Sequence, residues 1–305
     1  MKYHKVVEKA NEVINHFPDL RLTVRQIFYR LVSPPYQIIP NTRSAYNTFD
    51  RILTKARAVG DVNWERIEDS GRVELKRGSN IIAPSPKGYV QWLFDEIKEG
   101  YHMVDFLKDQ PRYIEVWVEK KALSPFFASV CGDYCITVFP SRGHSNFTSI
   151  MEAIEHRFPE DKPTIILLFT DHDPSGLGTL RDLDERFKEY DRHGHNISVK
   201  KIALTSDQVK QFNLAPNPTK SSDSRSPSYV EKYGEFCWEL DAIPPNDLRE
   251  IVLRAFEHEI DQDIWITTFN RLQKERQVIA DAIAPFKNLF DKIKEGIQNE
   301  VEKKL

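Results

Sequence analysis

The chain has 305 residues, 40% hydrophobic and 29% charged, with a formal net charge of -3. That is the make-up of a globular protein with room for two ordinary domains, and it excludes a chain coated in positive charge, so any nucleic-acid contact must rest on a local basic patch. Three cysteines, Cys131, Cys135 and Cys237, are too few for a full disulfide framework, and the Cys131–Cys135 spacing is not that of a zinc site.

The N-terminal stretch MKYHKVVEKANEVINHF is charged and amphipathic, without the apolar core of a secretory signal. No run along the chain reaches the ~20 apolar residues of a membrane span, and we expect a cytoplasmic protein with no membrane partner. Val6, Ala10, Val13 and Ile14 predict a helix over 2–16, stopped at Pro18. Thr23-x-x-Gln26 is a capping-box pattern. It opens a second helix through Ile27, Phe28, Leu31 and Val32, which Ser33-Pro34-Pro35 closes. Asn41 is expected to cap a third helix, 42–59, with Gly60 as its stop. Tyr46, Phe49, Leu53 and Ala56 form its apolar face, while Arg43, Arg51, Lys55 and Arg57 project elsewhere, opposed only by Asp50. Residues 62–90 are short and mixed, with turn signals at Gly71, Gly78, Pro84 and Pro86. Three short helices followed by hairpin-like material predict a winged-helix-like DNA-binding domain over 1–90, with the basic helix as recognition element. A solvated surface face accounts for that charge equally well.

Residues 91–110 read as a connecting helix with Trp92, Leu93, Ile97 and Phe106 as apolar positions. After Pro111 the pattern changes. Strands are expected at 113–118, 134–139, 165–169 and 197–204, with helices at 121–130, 145–157 and 177–190 between them. The IILLF run at 165–169 suits a strand buried on both faces. This alternation predicts an α/β domain over 111–245, a doubly wound and mostly parallel sheet. Residues 213–230, rich in Pro and Ser, read as a loop or excursion. Residues 246–305 are expected to form a helical C-terminal segment. There Ile279, Ile283, Phe286, Phe290, Ile293 and Ile297 make a stripe suited to domain packing.

Glu119 and Asp171-His172-Asp173 each follow an apolar strand. Functional groups in an open parallel sheet collect beyond the carboxyl ends of the strands, so both acidic motifs fall on one rim. Carboxylates are hard oxygen ligands suited to Mg²⁺, with Mn²⁺ as an alternative. In an extended Asp-x-Asp turn the two acids converge and His172 is a spacer. Three such acids repel each other without a cation. Pro174-Ser175-Gly176 then turns into a helix N-terminus, which presents free amides to an anion. Arg142, after another strand, and Lys120 are candidate phosphate contacts.

The pieces VWVEKKAL (116–123) and LFTDHDPSG (168–176) resemble the Toprim fold of topoisomerases, primases and certain nucleases. LTVRQIFYRL (22–31) resembles the catalytic-tyrosine motif of the topoisomerase VI A subunit and its meiotic double-strand-break relatives, whose winged-helix domain precedes Toprim. ALTSDQVKQFNL (203–214) and ELDAI (239–243) are similar to later segments of that family. The resemblance implies that Tyr29 attacks a DNA phosphate and forms a 5′-phosphotyrosyl link, that Glu119, Asp171 and Asp173 hold Mg²⁺, and that the partners are DNA and a second copy in a homodimer. In that family the tyrosine of one subunit meets the metal of the other. A phenol ionises near ~10 and needs help to act as a nucleophile. Arg25, one helical turn before Tyr29, is placed to stabilise phenolate or phosphate charge. The chain has no Gly-rich ATP-binding segment, so strand passage would need a separate ATPase subunit, or does not occur. Two alternatives stand beside the transesterase: a Toprim nuclease using metal-activated water, and a non-catalytic DNA-binding subunit of a larger complex.

Overall fold

In the computed structural model, which describes residues 2–68, 85–99, 105–141, 147–219 and 223–304, the chain opens with helices α1 (Tyr3–His16), α2 (Val24–Val32) and α3 (Arg43–Val59). The capping box is present: the Thr23 side chain accepts from the Gln26 amide and the Gln26 side chain accepts from the Thr23 amide. The cap of α3 is Thr42 rather than Asn41. The Thr42 hydroxyl reaches the Ala45 amide at 3.2 Å, whereas the Asn41 side chain donates to the Pro216 carbonyl at 2.6 Å. Gly60 ends α3 in the left-handed region, φ +84, where a side chain is disfavoured. Ala45, Phe49, Leu53 and Ala56 are buried, and Tyr46 is half-buried against Phe28. Strand β1 (Leu22–Thr23) pairs in parallel with β2 (Ile67–Glu68). The turn signals at Gly71, Gly78 and Pro84 lie outside the described residues.

Helix α4 (Pro86–Glu99) precedes the alternating segment: β3 (Tyr113–Val118), α5 (Ser124–Gly132), β4 (Thr137–Pro140), α6 (Phe147–His156), β5 (Thr164–Phe169), α7 (Pro174–Tyr190) and β6 (Ile197–Ala203). Strand β4 starts later than the sequence suggests, because Tyr134 and Cys135 belong to the turn that closes α5. The Tyr134 amide bonds to the Cys131 carbonyl, and Cys135 has φ +53. The four strands form one all-parallel sheet in the order β4-β3-β5-β6. Every residue of β5 is buried, as a strand covered on both faces requires. Trp117, Ile166 and Leu168 face one side, with Ile150, Ile154, Leu183 and Phe187 of α6 and α7. Phe169 faces the other, against Phe127 of α5 at 4.6 Å between ring centroids.

The segment after β6 holds α8 (Ser206–Gln211), β7 (Asn217–Pro218), α9 (Ser226–Tyr233) and β8 (Phe236–Cys237), with β7 and β8 antiparallel. Helices α10 (Pro245–Glu259), α11 (Gln262–Ile283) and α12 (Lys287–Lys304) follow. Two compact units result. Residues 1–72 and 111–260 form the first, so the opening helices and the parallel sheet belong together. Residues 73–110 and 261–305 form the second. Within that second unit Phe94 packs on Phe290 at 4.7 Å, and Phe106 on Trp265 at 5.7 Å. Of the C-terminal stripe, Ile279, Ile283, Phe290 and Ile297 are half-buried while Phe286 and Ile293 are exposed. No described helix is long and apolar enough to cross a membrane.

Candidate active site

Strands β3 and β5 are neighbours, and the chain leaves β3 toward β4 on one side and reaches β5 on the other. That reversal opens a crevice beyond the carboxyl ends of the two strands, the usual ligand position in such sheets. Glu119 and Asp171 occupy it. The Glu119 amide donates to the Phe169 carbonyl at 3.0 Å. Asp173 caps α7, its Oδ1 accepting from the Gly176 amide at 2.6 Å. The Leu240 amide donates to Asp171 Oδ1 at 2.7 Å. His172 is turned aside and buried, its backbone laddered to Trp238 by bonds of 2.8 and 3.0 Å. Burial pulls its pKa down to about 4.

The acids feel one another. Burial, then Asp171 and Asp173, pushes Glu119 up to about 7, against the pull of Lys201 and Arg225. Asp171 rises to about 6 through burial, opposed by Lys120 and the Leu240 amide and reinforced by Glu239 and Asp173. Glu119 Oε2 is buried with no hydrogen-bond partner. A carboxylate oxygen left so is costly unless a cation meets it, and a set of hard oxygen donors fits Mg²⁺. Among the described residues, no three His, Cys, Asp or Glu side chains already stand at metal-ligand spacing.

Tyr29, on α2, is only 3% exposed. Its hydroxyl accepts from Asn217 Nδ2 at 2.8 Å. Burial and the charge of Glu239 push its pKa up, Asn217 and Arg25 oppose this, and Asp171 adds to it. The nucleophile candidate and a metal-ligand candidate of the same chain therefore share one electrostatic environment. Arg25 pairs with Glu239, lies 5.0 Å from the Tyr46 ring centroid and senses Tyr29. Lys120 does not project outward as a phosphate contact. Its ammonium pairs with Glu239 at 3.2 Å and with the fully buried Asp241.

On α3, Arg43, Arg51 and Lys55 lie away from the buried Ala45–Phe49–Leu53–Ala56 face, while Arg57 follows Leu53 by one turn at its edge. Arg43, Arg51 and Lys55 are exposed and Arg57 is half-buried. Lys55 also lies over the Tyr3 ring, 5.3 Å from its centroid. Arg142 lies outside the described residues.

Four charged residues join the site that motif spacing did not single out. Lys201, on β6, donates to the Asp171 carbonyl at 2.9 Å, and burial brings its pKa down to about 8 against the three acids. Arg225 forks onto Asp223 at 2.9 and 3.0 Å, lies against Gly178, and senses Asp173 and Glu119. Glu239 and Asp241 are the other two, and the only sequence signal for them was the ELDAI segment. Neither a protein-family model nor a curated protein matches the chain.

Proposed function

We propose that residues 1–72 and 111–260 form a Toprim-like, Mg²⁺-dependent DNA-cleaving centre similar to the topoisomerase VI A subunit, with Tyr29 as nucleophile. The segment at 239–240 carries this reading: Glu239 pairs with Arg25 of the Tyr29 helix while the adjacent Leu240 amide holds Asp171 Oδ1. Glu119, Asp171 and Asp173 are the residues that would hold the ion. When bound, it supplies Lewis-acid polarisation of the phosphate and charge for the leaving oxygen. The chain's own residues do the rest. The Tyr29 oxygen bonds to phosphorus as the P–O3′ bond breaks; the phenol gives its proton to solvent and the leaving oxygen takes one back from solvent as a 3′-hydroxyl, so the step is proton-neutral overall. Asn217 donates into the Tyr29 oxygen and Arg25 carries a fixed positive charge beside it, both favouring the phenolate. Lys201 holds the Asp171 turn through its carbonyl.

The test is covalent trapping. Supercoiled DNA is incubated with the protein and Mg²⁺ or Mn²⁺ and stopped with SDS, for wild type, Tyr29→Phe and Asp171→Ala. An adduct in wild type, absent from both variants, is the expected result. Strand breaks without an adduct, kept in Tyr29→Phe and lost in Asp171→Ala, would instead identify a metal nuclease. One observation favours that second reading: the 3% exposure of Tyr29, with its raised pKa, is an unfavourable resting state for a nucleophile.

The exposed face of α3 supplies duplex contacts through backbone charge, which positions without reading sequence. Arg51→Ala combined with Lys55→Ala is expected to weaken binding alike for unrelated duplexes. It should also lower the slope of log affinity against log salt by about 2, close to ~0.9 per lost phosphate contact. An unchanged slope would remove α3 from the interface.

A further inference from the structure

Helix α3 carries an exposed row at i, i+4 spacing: Arg43, Asn47, Arg51, Lys55 and Val59. Residues so spaced form a ridge along a helix surface. This ridge begins in positive charge and ends apolar, since Val59, the last residue of the helix, is 60% exposed. Beyond Gly60 the chain folds back on the helix end. The Val62 amide donates to the Ala56 carbonyl at 3.3 Å, and Val62 is buried. Trp64 then opens a short helical turn, Trp64–Arg66, and is 63% exposed. Both sides of this indole are anchored. Asn63 Oδ1 accepts from the Glu65 amide at 3.0 Å. Arg66 donates to the Phe17 carbonyl at 2.6 Å and to those of Ile14 and Leu20 at 3.4 and 3.3 Å, which ties the turn to the end of α1. Ile67 is buried in β2. The fold thus fixes the turn and leaves its largest apolar side chain in solvent.

We infer that Trp64, with Val59 at the end of the ridge, is a base-stacking tip on the DNA-binding face of α3, and that the DNA it favours is a duplex with an opened base step. This rests on the reading of α3 as the duplex contact. The cationic ridge follows the phosphate backbone, which holds DNA without regard to sequence. A planar indole beyond that ridge has no use for a phosphate. Its complement is the face of a base, and stacking on an aromatic ring tolerates any sequence. The charges of the turn agree. Asp61 is taken up by the Tyr3 hydroxyl at 2.7 Å, and Glu65 is exposed and repels phosphate, so the turn offers DNA its indole and no backbone contact. Apolar side chains that enter a duplex must unstack a step to do so. A paired step resists entry, whereas an unpaired nucleotide has already met most of that cost.

The tip is testable without cleavage. Two labelled duplexes of one sequence, one fully paired and one with a single unpaired adenine, are titrated in EDTA with the full chain. The proteins are wild type, Trp64→Ala, Trp64→Phe, and Arg51→Ala combined with Lys55→Ala. The wild type is expected to bind the bulged duplex about tenfold more tightly, within the range for stacking one base. Trp64→Ala should lose that preference and keep both the affinity for paired DNA and its salt slope. Trp64→Phe should keep part of the preference. The ring lies outside the core, so Trp64→Ala is expected to melt as the wild type does.

Equal wild-type affinity for the two duplexes, or a preference that survives Trp64→Ala, would overturn the inference. So would a fall in the sedimentation mass of Trp64→Ala without DNA, which would place the indole between two copies of the chain. The reading of α3 is separated by the double variant. If it keeps wild-type affinity and salt slope on paired DNA while Trp64→Ala loses the bulge preference, the stacking tip stands and the ridge is not the backbone contact. If the wild type binds neither duplex, both fall.

Discussion

Gly176→Ala is expected to abolish metal-dependent cleavage, with a fall of at least about 10²-fold, the scale set by a 1 Å misplacement of reacting groups. A Cβ at Gly176 would lie 2.2 Å from the Asp171 carbonyl oxygen and 3.0 Å from Thr170 Oγ1. The first obstacle is backbone and cannot rotate away, so the Asp171–Asp173 turn itself must shift. The Gly176 amide is also the donor that fixes Asp173 Oδ1. A single methyl group thus displaces both acids of the pair, and overpacking of this kind costs roughly 1–3 kcal/mol of stability. Gly178→Ala is the comparison, expected to cost less because it moves the Arg225 side chain beside the site and leaves the acid-bearing backbone in place. There the obstacle is Arg225 Nη1 at 2.8 Å, the far end of a flexible side chain, which can swing aside. Cleavage rates and denaturant midpoints for the two variants decide the matter. Wild-type cleavage by Gly176→Ala would mean that the rim acids are not the site.

What the sequence made legible, and what it hid, divides along a physical line. Strand β5 was legible because a run of apolar residues has few other uses. The two acidic motifs were legible because strand ends in a parallel sheet gather functional groups at one rim. The capping box at Thr23 and Gln26 is a local interaction and appeared where expected. Local competition explains the small misses. Thr42 displaced Asn41 as a cap because Asn41 found a partner far along the chain. Strand β4 lost its first residues to the turn after α5. Lys201, Glu239 and Asn217 were hidden for a different reason: their roles exist only through tertiary contact. Lys201 follows Lys200 in β6, and no periodicity says which of the two ammonium groups turns toward Asp171. Asn217 lies in a Pro- and Ser-rich stretch that reads as loop, yet it forms a two-residue strand and bonds Tyr29. Lys120 shows the converse. Its neighbour Glu119 and its charge suggest a phosphate contact, but two carboxylates more than a hundred residues away claim it.

Mg²⁺ should stabilise the protein strongly at pH 8 and hardly at all at pH 5, and the metal-free protein should show the opposite trend. The carboxyl of Glu119 is raised from 4.5 to about 7 and that of Asp171 from 3.8 to about 6. Between the ordinary and the raised values the folded chain holds protons that the unfolded chain has released. Stability then falls as pH rises through that window; His172, lowered from 6.5 to about 4, works the other way and makes the fall shallower, one group against two. Lys201, lowered from 10.5 to about 8, is charged in both states over most of the window and does not reverse the slope. An ion binds only the deprotonated acids, so its contribution grows over the same range in which the metal-free protein weakens. At free Mg²⁺ a hundredfold above its dissociation constant the gain is about 2.7 kcal/mol. Thermal or denaturant midpoints across pH 5–8, with Mg²⁺ and with EDTA, measure both curves. Glu119→Gln should flatten the metal-free slope and, with Asp171→Ala, close the gap between the curves. A gap of equal size at pH 5 and pH 8, or none at pH 8, would mean that these carboxylates do not form the metal site.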